Sequence, residues 1–186
     1  MSRKILFFIT EDWYFLSHRL PIARAAIRAG FKVSLLTHVG DCGDFLRREG
    51  IKVIDVPLRR RSINPFREIK ILLEVIRVYR SERPDIVHHV AMKPVLYGSI
   101  AAMVVGVPRV INAMAGMGHL FISKGFKAGM LRASISCCFR FLFRRNGTRL
   151  VLQNPEDLCA LVKTGIVRRN QACLIRGSGV DVARFA

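Results

Sequence analysis

Residues 85–112 read DIVHHVAMKPVLYGSIAAMVVGVPRVIN. A short run with β-branched residues, Asp85–His88, comes before the segment Val95–Val105, and a second such run follows at Arg109–Asn112. The order strand, helix, strand is typical of two parallel strands joined by a crossover helix. Val95–Val105 is apolar all round, so its helix is predicted to be buried.

The same alternation continues in both directions from this unit. Strands are predicted near Ile5–Ile9, Lys32–Leu36, Lys52–Val56, Asp85–His88, Arg109–Asn112, Arg149–Leu152 and Ala172–Ile175. Helical patterns lie between them. This order predicts an α/β, Rossmann-like domain of three layers with a mostly parallel sheet.

Three helices have clear sequence signals. The first is predicted to have Ser17 as its N-cap, Pro21 in its first turn and Gly30 as its stop. Asn64 and Pro65 open the next, and Phe126–Arg145 is predicted to be a third. The buried stripe of the second helix is predicted to consist of Phe66, Ile69, Leu72, Leu73 and Ile76.

Composition limits the class of protein. Lysine and arginine number 31 against 13 acidic residues, a formal net charge of +18, which favours anionic partners. The five cysteines are odd in number and have no CxxC spacing, so neither zinc nor a disulfide framework is expected. Pro94–Val107 is too short to cross a bilayer, and the apolar start lacks a signal peptide's cleavage site. The chain is therefore expected to be cytoplasmic.

Ligands of an open parallel sheet bind beyond the carboxyl ends of its strands. No GxGxxG, P-loop or GxSxG motif follows any predicted strand, which disfavours a dinucleotide site. The loop after the first strand instead holds Glu11, Asp12, His18 and Arg19, a set suited to proton transfer or to binding sugar hydroxyls. The alternative is that Asp12 and Ser17 only cap a helix, while His18 and Arg19 form a solvated first turn.

Later loops add further candidates. His88 and His89 are adjacent in one strand, so they must face opposite sides of the sheet, and Lys93 could meet a phosphate at a helix N-terminus. A buried structural histidine is an equally good interpretation of either one. Two histidines without a third ligand do not indicate a metal.

Four stretches resemble one known family when taken in order. They are DWYFLSHRLPIARAA (Asp12–Ala26), MKPVLYGSIAA (Met92–Ala102), AGMGHLF (Ala115–Phe121), and QNPED (Gln153–Asp157) followed by GSGVDVARF (Gly177–Phe185). Together they resemble the N-terminal domain of family 4 glycosyltransferases, which are retaining enzymes of the GT-B fold. The resemblance extends over essentially the whole chain.

The resemblance implies transfer of a sugar from a nucleotide-sugar to a lipid-linked saccharide in the synthesis of bacterial lipopolysaccharide, O-antigen or capsule. It implies an acceptor-binding domain at 1–176 and the start of a hinge at 177–186, leading to a C-terminal donor domain in cis or in trans. No cofactor is expected, because the nucleotide-sugar is a co-substrate that the donor domain binds. No metal is expected either, because basic residues and helix dipoles typically meet the diphosphate charge in this fold. Many relatives have a histidine where Asn112 stands here.

Position on carboxyl-end loops, together with the resemblance, selects the candidate residues. The catalytic candidates are Asp12, His18 and His88; the substrate-binding candidates are Lys93, Tyr97, Asn112, Gly116 and Gly118; the hinge candidates are Gly177, Gly179 and Asp181.

An acceptor in a membrane also accounts for the charge, because lysine and arginine bind anionic lipid. The predicted location is the inner face of the cytoplasmic membrane, with contacts from the loop Arg59–Arg61 and the helix Phe126–Arg145. An alternative is a non-catalytic subunit that anchors a separate donor-domain chain at the membrane. The sequence has none of the usual motifs of nucleic-acid-binding proteins, and it lacks the glycine fingerprint of nicotinamide-dependent oxidoreductases.

Overall fold

A computed structural model describes residues 2–58, 64–114 and 126–177, including all of their side chains except those of residues 126–134. The strands are β1 (Lys4–Glu11), β2 (Lys32–His38), β3 (Lys52–Asp55), β4 (Ile86–Val90), β5 (Arg109–Met114), β6 (Thr148–Leu152) and β7 (Ala172–Leu174). The helices are α1 (Asp12–His18), α2 (Leu20–Arg28), α3 (Gly43–Arg48), α4 (Pro65–Glu82), α5 (Met92–Val105), α6 (Phe126–Phe143) and α7 (Pro155–Lys163), with a short 3-10 helix at Arg169–Gln171.

The strands form one seven-stranded sheet in the order β3-β2-β1-β4-β5-β6-β7, and every pair in it is parallel. This confirms the predicted Rossmann-like fold and the place of each predicted strand. The order reverses between β1 and β4. Such a switch point opens a crevice beyond the carboxyl ends of the two strands, where ligands bind in this class of sheet.

Helices cover both faces of the sheet, as the side chains of β1 show. Leu6 and Phe8 pack in a cluster with α4 and α5, while Phe7 and Ile9 pack in a second cluster with α1, α2 and α3. The side chains on both faces of β1 are apolar because a central parallel strand is buried on both sides. A third cluster joins α6 and α7 to β6.

The first predicted helix is in fact two. α1 ends at His18, and α2 begins at Leu20 with Pro21 in its first turn. Pro21 and the stop at Gly30, where φ is +83°, are confirmed, but the prediction of Ser17 as N-cap is wrong. Ser17 lies within α1, and its Oγ donates to the carbonyl of Tyr14 at 3.3 Å.

Asn64 caps α4 as predicted, because its side chain accepts from the backbone N–H of Phe66 and of Arg67. The predicted buried stripe of α4 is wrong. The fully buried residues are Ile71, Val75 and Tyr79, whereas Phe66, Ile69 and Leu73 are exposed. Leu72 and Ile76 lie between the two faces and are partly buried.

Helix α6 contributes mainly to the core in its described part. Phe139 and Phe143 are buried with their rings stacked at 4.9 Å. Arg145 donates to the carbonyls of Ala102 and Val107, so it caps the end of α5. Within the described residues, no helix is both long enough and apolar enough to cross a bilayer.

Candidate functional site

A crevice lies at the switch point between β1 and β4. It encloses about 120 Å³ and is lined by Ile9, Thr10, Glu11, Trp13, Tyr14, Val90 and Ala91. Trp13 is 53% exposed although it is a large apolar side chain. Aromatic rings beside the Glu11 carboxylate suit a polar ligand that also has an apolar face.

The backbone on the β4 side of this crevice is strained. Ala91 has φ 79° and ψ 163° and occupies the N-cap position of α5. This conformation is one that glycine adopts and that residues with a Cβ atom avoid. It is held in place because the N–H of Ala91 donates to the carbonyl of Ala113, while its carbonyl accepts from the N–H of Val95. Strain of this kind concentrates at functional sites.

Asp12 holds the backbone behind the crevice through three hydrogen bonds. Its Oδ2 accepts from the N–H of Gly40 at 2.7 Å and from that of Cys42 at 3.1 Å, and its Oδ1 accepts from the N–H of Trp13 at 2.8 Å. The side chain is buried. Asp12 therefore joins the loop after β2 to the start of α1, and its assignment as a catalytic residue stays a prediction.

His18 lies at the outer end of α1. Its ring is stacked on Tyr14 with the centroids 4.3 Å apart, and its Nδ1 lies 2.5 Å from the Oγ of Ser17. The stack links His18 to Tyr14, a residue of the crevice wall. His18 therefore supports Tyr14 from behind, and it is Tyr14 that lines the crevice.

A second cavity of about 190 Å³ opens on the same face of the sheet as α1 and α2. It is lined by Arg19, Ile22, His88, Ala113, Met114, Val151, Gln153, Ile175 and Gly177. Arg19 and His88 are its buried polar residues, with 6% and 8% exposure. The alternative interpretation of Arg19 as part of a solvated first turn is wrong, because the break between α1 and α2 turns this side chain inward.

His88 has an unsatisfied ring nitrogen. The ring is stacked on Phe7 at 5.2 Å, and within the described part of the chain no hydrogen-bond partner reaches its Nε2. Burial, and then the charge of Arg19, lowers the pKa of His88 to about 3, so the ring is neutral at pH 7. Buried polar atoms are almost always paired, and an exception beside a cavity indicates a ligand position.

Replacing His88 by Phe is expected to raise stability at pH 7 by about 1 kcal/mol, because it removes an unpaired buried nitrogen. It also changes the pH dependence. An unfolded histidine binds its proton near pH 6.5, so a folded pKa of about 3 makes the protein lose stability as the pH falls below about 6.5. Each such histidine contributes a slope of about 1.4 kcal/mol per pH unit.

The pKa of His89 is also lowered, to about 4, because of burial. His88→Phe should therefore lower the slope of the unfolding free energy against pH by up to about 1.4 kcal/mol per pH unit between about pH 4.5 and pH 6, while the contribution of His89 remains. Urea unfolding followed by circular dichroism across this range measures both effects. His38→Asn is the control, since that side chain is 51% exposed. An unchanged slope in His88→Phe would contradict a buried neutral His88.

Lys93 and Tyr97 lie on the other face of the sheet. Lys93 Nζ donates to Oε1 of Glu68 at 2.9 Å, and the Tyr97 hydroxyl donates to Oε2 of the same carboxylate at 2.5 Å. Burial, followed by this hydrogen bond, raises the pKa of Tyr97. Glu68 was not among the sequence candidates. Its contacts join the first turns of α4 and α5 at the carboxyl edge.

Asn112 and His89 belong to a buried polar chain. His89 Nδ1 lies 2.7 Å from Oδ1 of Asn112, and His89 Nε2 lies 2.9 Å from the hydroxyl of Tyr79. Because Oδ1 only accepts, Nδ1 is the donor, and the neutral ring accepts from Tyr79 at Nε2. Asn112 is fully buried and also accepts from Ser99. Asn112 was predicted to contact the substrate, but its side chain lies in the core and does not reach a surface.

The sheet thus separates the predicted site residues into groups. Asp12, His18 and His88 lie on the α1–α2 face, whereas Lys93 and Tyr97 lie between α4 and α5. Gly177 borders the second cavity with φ +73°. Gly116, Gly118, Gly179 and Asp181 lie outside the described residues, as does the loop Arg59–Arg61.

The structure adds residues that the sequence did not single out. Trp13, Ala91 and Gln153 line the two cavities and were not among the candidate site residues. The described ranges contain no group of three or more His, Cys, Asp or Glu side chains arranged to hold a metal.

Comparison with known proteins identifies the family. Residues 4–154 match the family model described as glycosyl transferase 4-like. The chain belongs to the glycosyl transferase 4-like family. It is 26% identical over 179 residues to an N,N'-diacetylbacillosaminyl-diphospho-undecaprenol alpha-1,3-N-acetylgalactosaminyltransferase of Campylobacter jejuni, matching 92% of this chain and 47% of that protein.

A second relative of this glycosyl transferase 4-like chain is the UDP-Gal:alpha-D-GlcNAc-diphosphoundecaprenol alpha-1,3-galactosyltransferase of Escherichia coli. It is 28% identical over 150 residues, 79% of this chain and 36% of that protein. Among solved structures, a glycosyltransferase from Rickettsia africae aligns over the whole chain and 45% of its own, with TM-score 0.68 and 14% identity. MurG of Acinetobacter baumannii aligns over 98% of this chain and 47% of its own, with TM-score 0.60 and 15% identity.

These matches place the fold among the halves of GT-B glycosyltransferases, as predicted. The chain spans less than half the length of the curated relatives it matches.

Proposed function

We propose that this chain is the acceptor-binding half of a retaining glycosyltransferase that moves a sugar from a nucleotide-sugar to a saccharide carried on a polyprenyl diphosphate. The observation that carries the proposal is the cavity holding Arg19 and neutral His88 at the edge of the sheet, in a chain of this family. Both relatives are named for diphospho-undecaprenol substrates.

The two buried groups have complementary chemistry for such an acceptor. The guanidinium of Arg19 is a cation suited to binding a phosphate oxygen. Burial lowers the pKa of this group, but the ordinary pKa of arginine is so high that the guanidinium stays charged. The neutral imidazole of His88 can donate to or accept from a sugar hydroxyl. The net charge of +18 favours the same anionic, membrane-bound substrate.

The relatives' greater length supports a second domain in the complete enzyme. We propose that this domain binds the nucleotide-sugar and that it is either joined through the segment from Gly177 onward, with Gly179 and Asp181 in the hinge, or supplied by a separate chain. The 186-residue chain alone is then expected to be inactive. The proposed location is the inner face of the cytoplasmic membrane, and the products belong to surface polysaccharide synthesis.

Ligand binding to the 186-residue chain tests the acceptor role directly. The probes are a short-chain prenyl diphosphate carrying N-acetylglucosamine and the nucleotide-sugar UDP-N-acetylglucosamine, measured by calorimetry. We expect the lipid-linked sugar to bind more tightly, and we expect His88→Phe and Arg19→Gln each to weaken it by about tenfold or more.

The matched control is Cys159→Ser, an exposed position on α7 away from both cavities. Tighter binding of the nucleotide-sugar would contradict an acceptor half. Unchanged binding in both His88→Phe and Arg19→Gln would contradict this cavity as the site.

A further inference from the structure

The face of α4 that points away from the core is apolar. Phe66 is 78% exposed, and Ile69 and Leu73 are each 56% exposed. At about 100° per residue, these three side chains lie within about 60° of one another and opposite the buried Val75. Three large apolar side chains in one exposed row exceed the scattered exposure that is usual for a soluble surface.

The same face is basic. Lys70, Arg77 and Arg80 are exposed and lie within about 60° of Phe66 around the helix axis. Acidic groups nearby are Glu74, which is partly buried at the border of the face, and two carboxylates that are already bonded. Those two are Glu68, bonded to Lys93 and Tyr97, and Glu82, bonded to Lys52 and Ser34.

The apolar end of this face is next to the carboxyl edge of the sheet. α4 begins after β3, so its first turns lie where the strands end, and Glu68 joins this first turn to α5. Phe66 and Ile69, in the first turns of α4, therefore lie near the same edge of the sheet as the crevice, although α4 covers the opposite face from α1 and α2. A substrate whose lipid part stays in a bilayer needs this proximity.

We propose that the exposed face of α4 docks the chain on an anionic lipid bilayer. Phe66, Ile69 and Leu73 enter the boundary between headgroups and acyl chains, and Lys70, Arg77 and Arg80 contact lipid phosphates. The inference rests on the proposed function, which requires a membrane-bound acceptor. Charge favours lipid over a second copy of this chain, because two such faces would bring six cations together.

Vesicle flotation with the full 186-residue chain tests the proposal. The vesicles are phosphatidylcholine alone or phosphatidylcholine with one third phosphatidylglycerol. We expect binding to the anionic vesicles only. Phe66→Ser/Ile69→Ser/Leu73→Ser should weaken it by at least about tenfold. Lys70→Gln/Arg77→Gln/Arg80→Gln should weaken it by about a hundredfold, since each cation near the surface contributes roughly fivefold.

Matched variants elsewhere on the surface control for general charge and hydrophobicity. Phe45→Ser/Val104→Ser removes exposed apolar side chains from α3 and α5, and Arg28→Gln/Lys32→Gln/Arg168→Gln removes three exposed cations. Circular dichroism confirms folding of every variant. Equal losses in the controls and in the α4 variants would overturn the proposal. So would α4 variants that keep vesicle binding but change the mass measured by light scattering, since the face would then be a self-association surface.

Failure of this inference can be told apart from failure of the proposed function. The two α4 variants leave the cavity of Arg19 and His88 intact, so both should bind the water-soluble prenyl diphosphate probe as the unaltered chain does. Vesicle binding that is independent of α4, with normal probe binding, overturns only the docking surface. If vesicle binding depends on α4 but the chain does not bind the lipid-linked sugar more tightly than the nucleotide-sugar, only the acceptor role is overturned.

Discussion

Replacing Asp12 by Ala should lower the free energy of unfolding by about 3 kcal/mol, because it removes a buried carboxylate that accepts from three backbone N–H groups. Its Oδ2 accepts from the N–H groups of Gly40 and Cys42, which are far from it in sequence, so the substitution also releases the loop after β2 from the start of α1. Urea unfolding followed by circular dichroism measures the loss.

Asp12→Asn separates the acceptor from the size of the side chain. The amide has the same shape, but its NH2 group would point at N–H donors if its oxygen stayed on Trp13, so at least one donor remains unpaired. We expect a loss nearly as large as that of Asp12→Ala. The control is Asp44→Ala, an 85% exposed carboxylate paired with Arg47, which should cost at most about 0.5 kcal/mol. A cost below about 1 kcal/mol for Asp12→Ala would contradict the joining role.

The strands could be predicted from the sequence because each is a short β-branched run between turn-forming residues. Local signals also gave Asn64 and Gly30 correctly, since caps and stops depend on a few neighbouring residues. The split of the first helix could not be predicted in the same way. Residues 12–18 are compatible with a loop or with a helical turn, and contacts with the sheet decide between them.

The buried face of α4 shows a different limit. The helix carries two apolar stripes on opposite sides, one with Val75 at its centre and one with Phe66 and Leu73. Periodicity identifies a stripe but does not tell which of two faces the sheet. The same helix therefore yielded a wrong core prediction and, once its orientation was known, a candidate docking surface.

The candidate site was predictable in position but not in detail. Topology alone places the crevice at the carboxyl ends of the strands. It also follows from the two-residue period that His88 and His89 face opposite sides. Which of them meets a cavity depends on the helices above, and so does the inward turn of Arg19. Glu68 was missed because its partners lie 25 and 29 residues away in sequence.

Gly98→Ala should destabilise the protein by about 3 kcal/mol, although glycine to alanine inside a helix ordinarily stabilises by about 1 kcal/mol. A Cβ atom at Gly98 would lie 2.5 Å from Nε2 of His89 and 2.6 Å from its Cδ2. The ring cannot yield, because Tyr79 holds one nitrogen and Asn112 holds the other. Either α5 must move off the sheet or the polar chain must break.

A double-mutant cycle with His89→Ala isolates this cause. His89→Ala is itself destabilising, but it removes the atoms that the new methyl group would meet. In that background Gly98→Ala should be neutral or stabilising by up to about 1 kcal/mol, giving a coupling of about 3 to 4 kcal/mol by urea unfolding. An equal cost of Gly98→Ala in both backgrounds would mean that the helix, and not the His89 ring, requires glycine. Loss of the cost in the His89→Ala background would show that the close approach of α5 to the His89 ring is what requires glycine at this position.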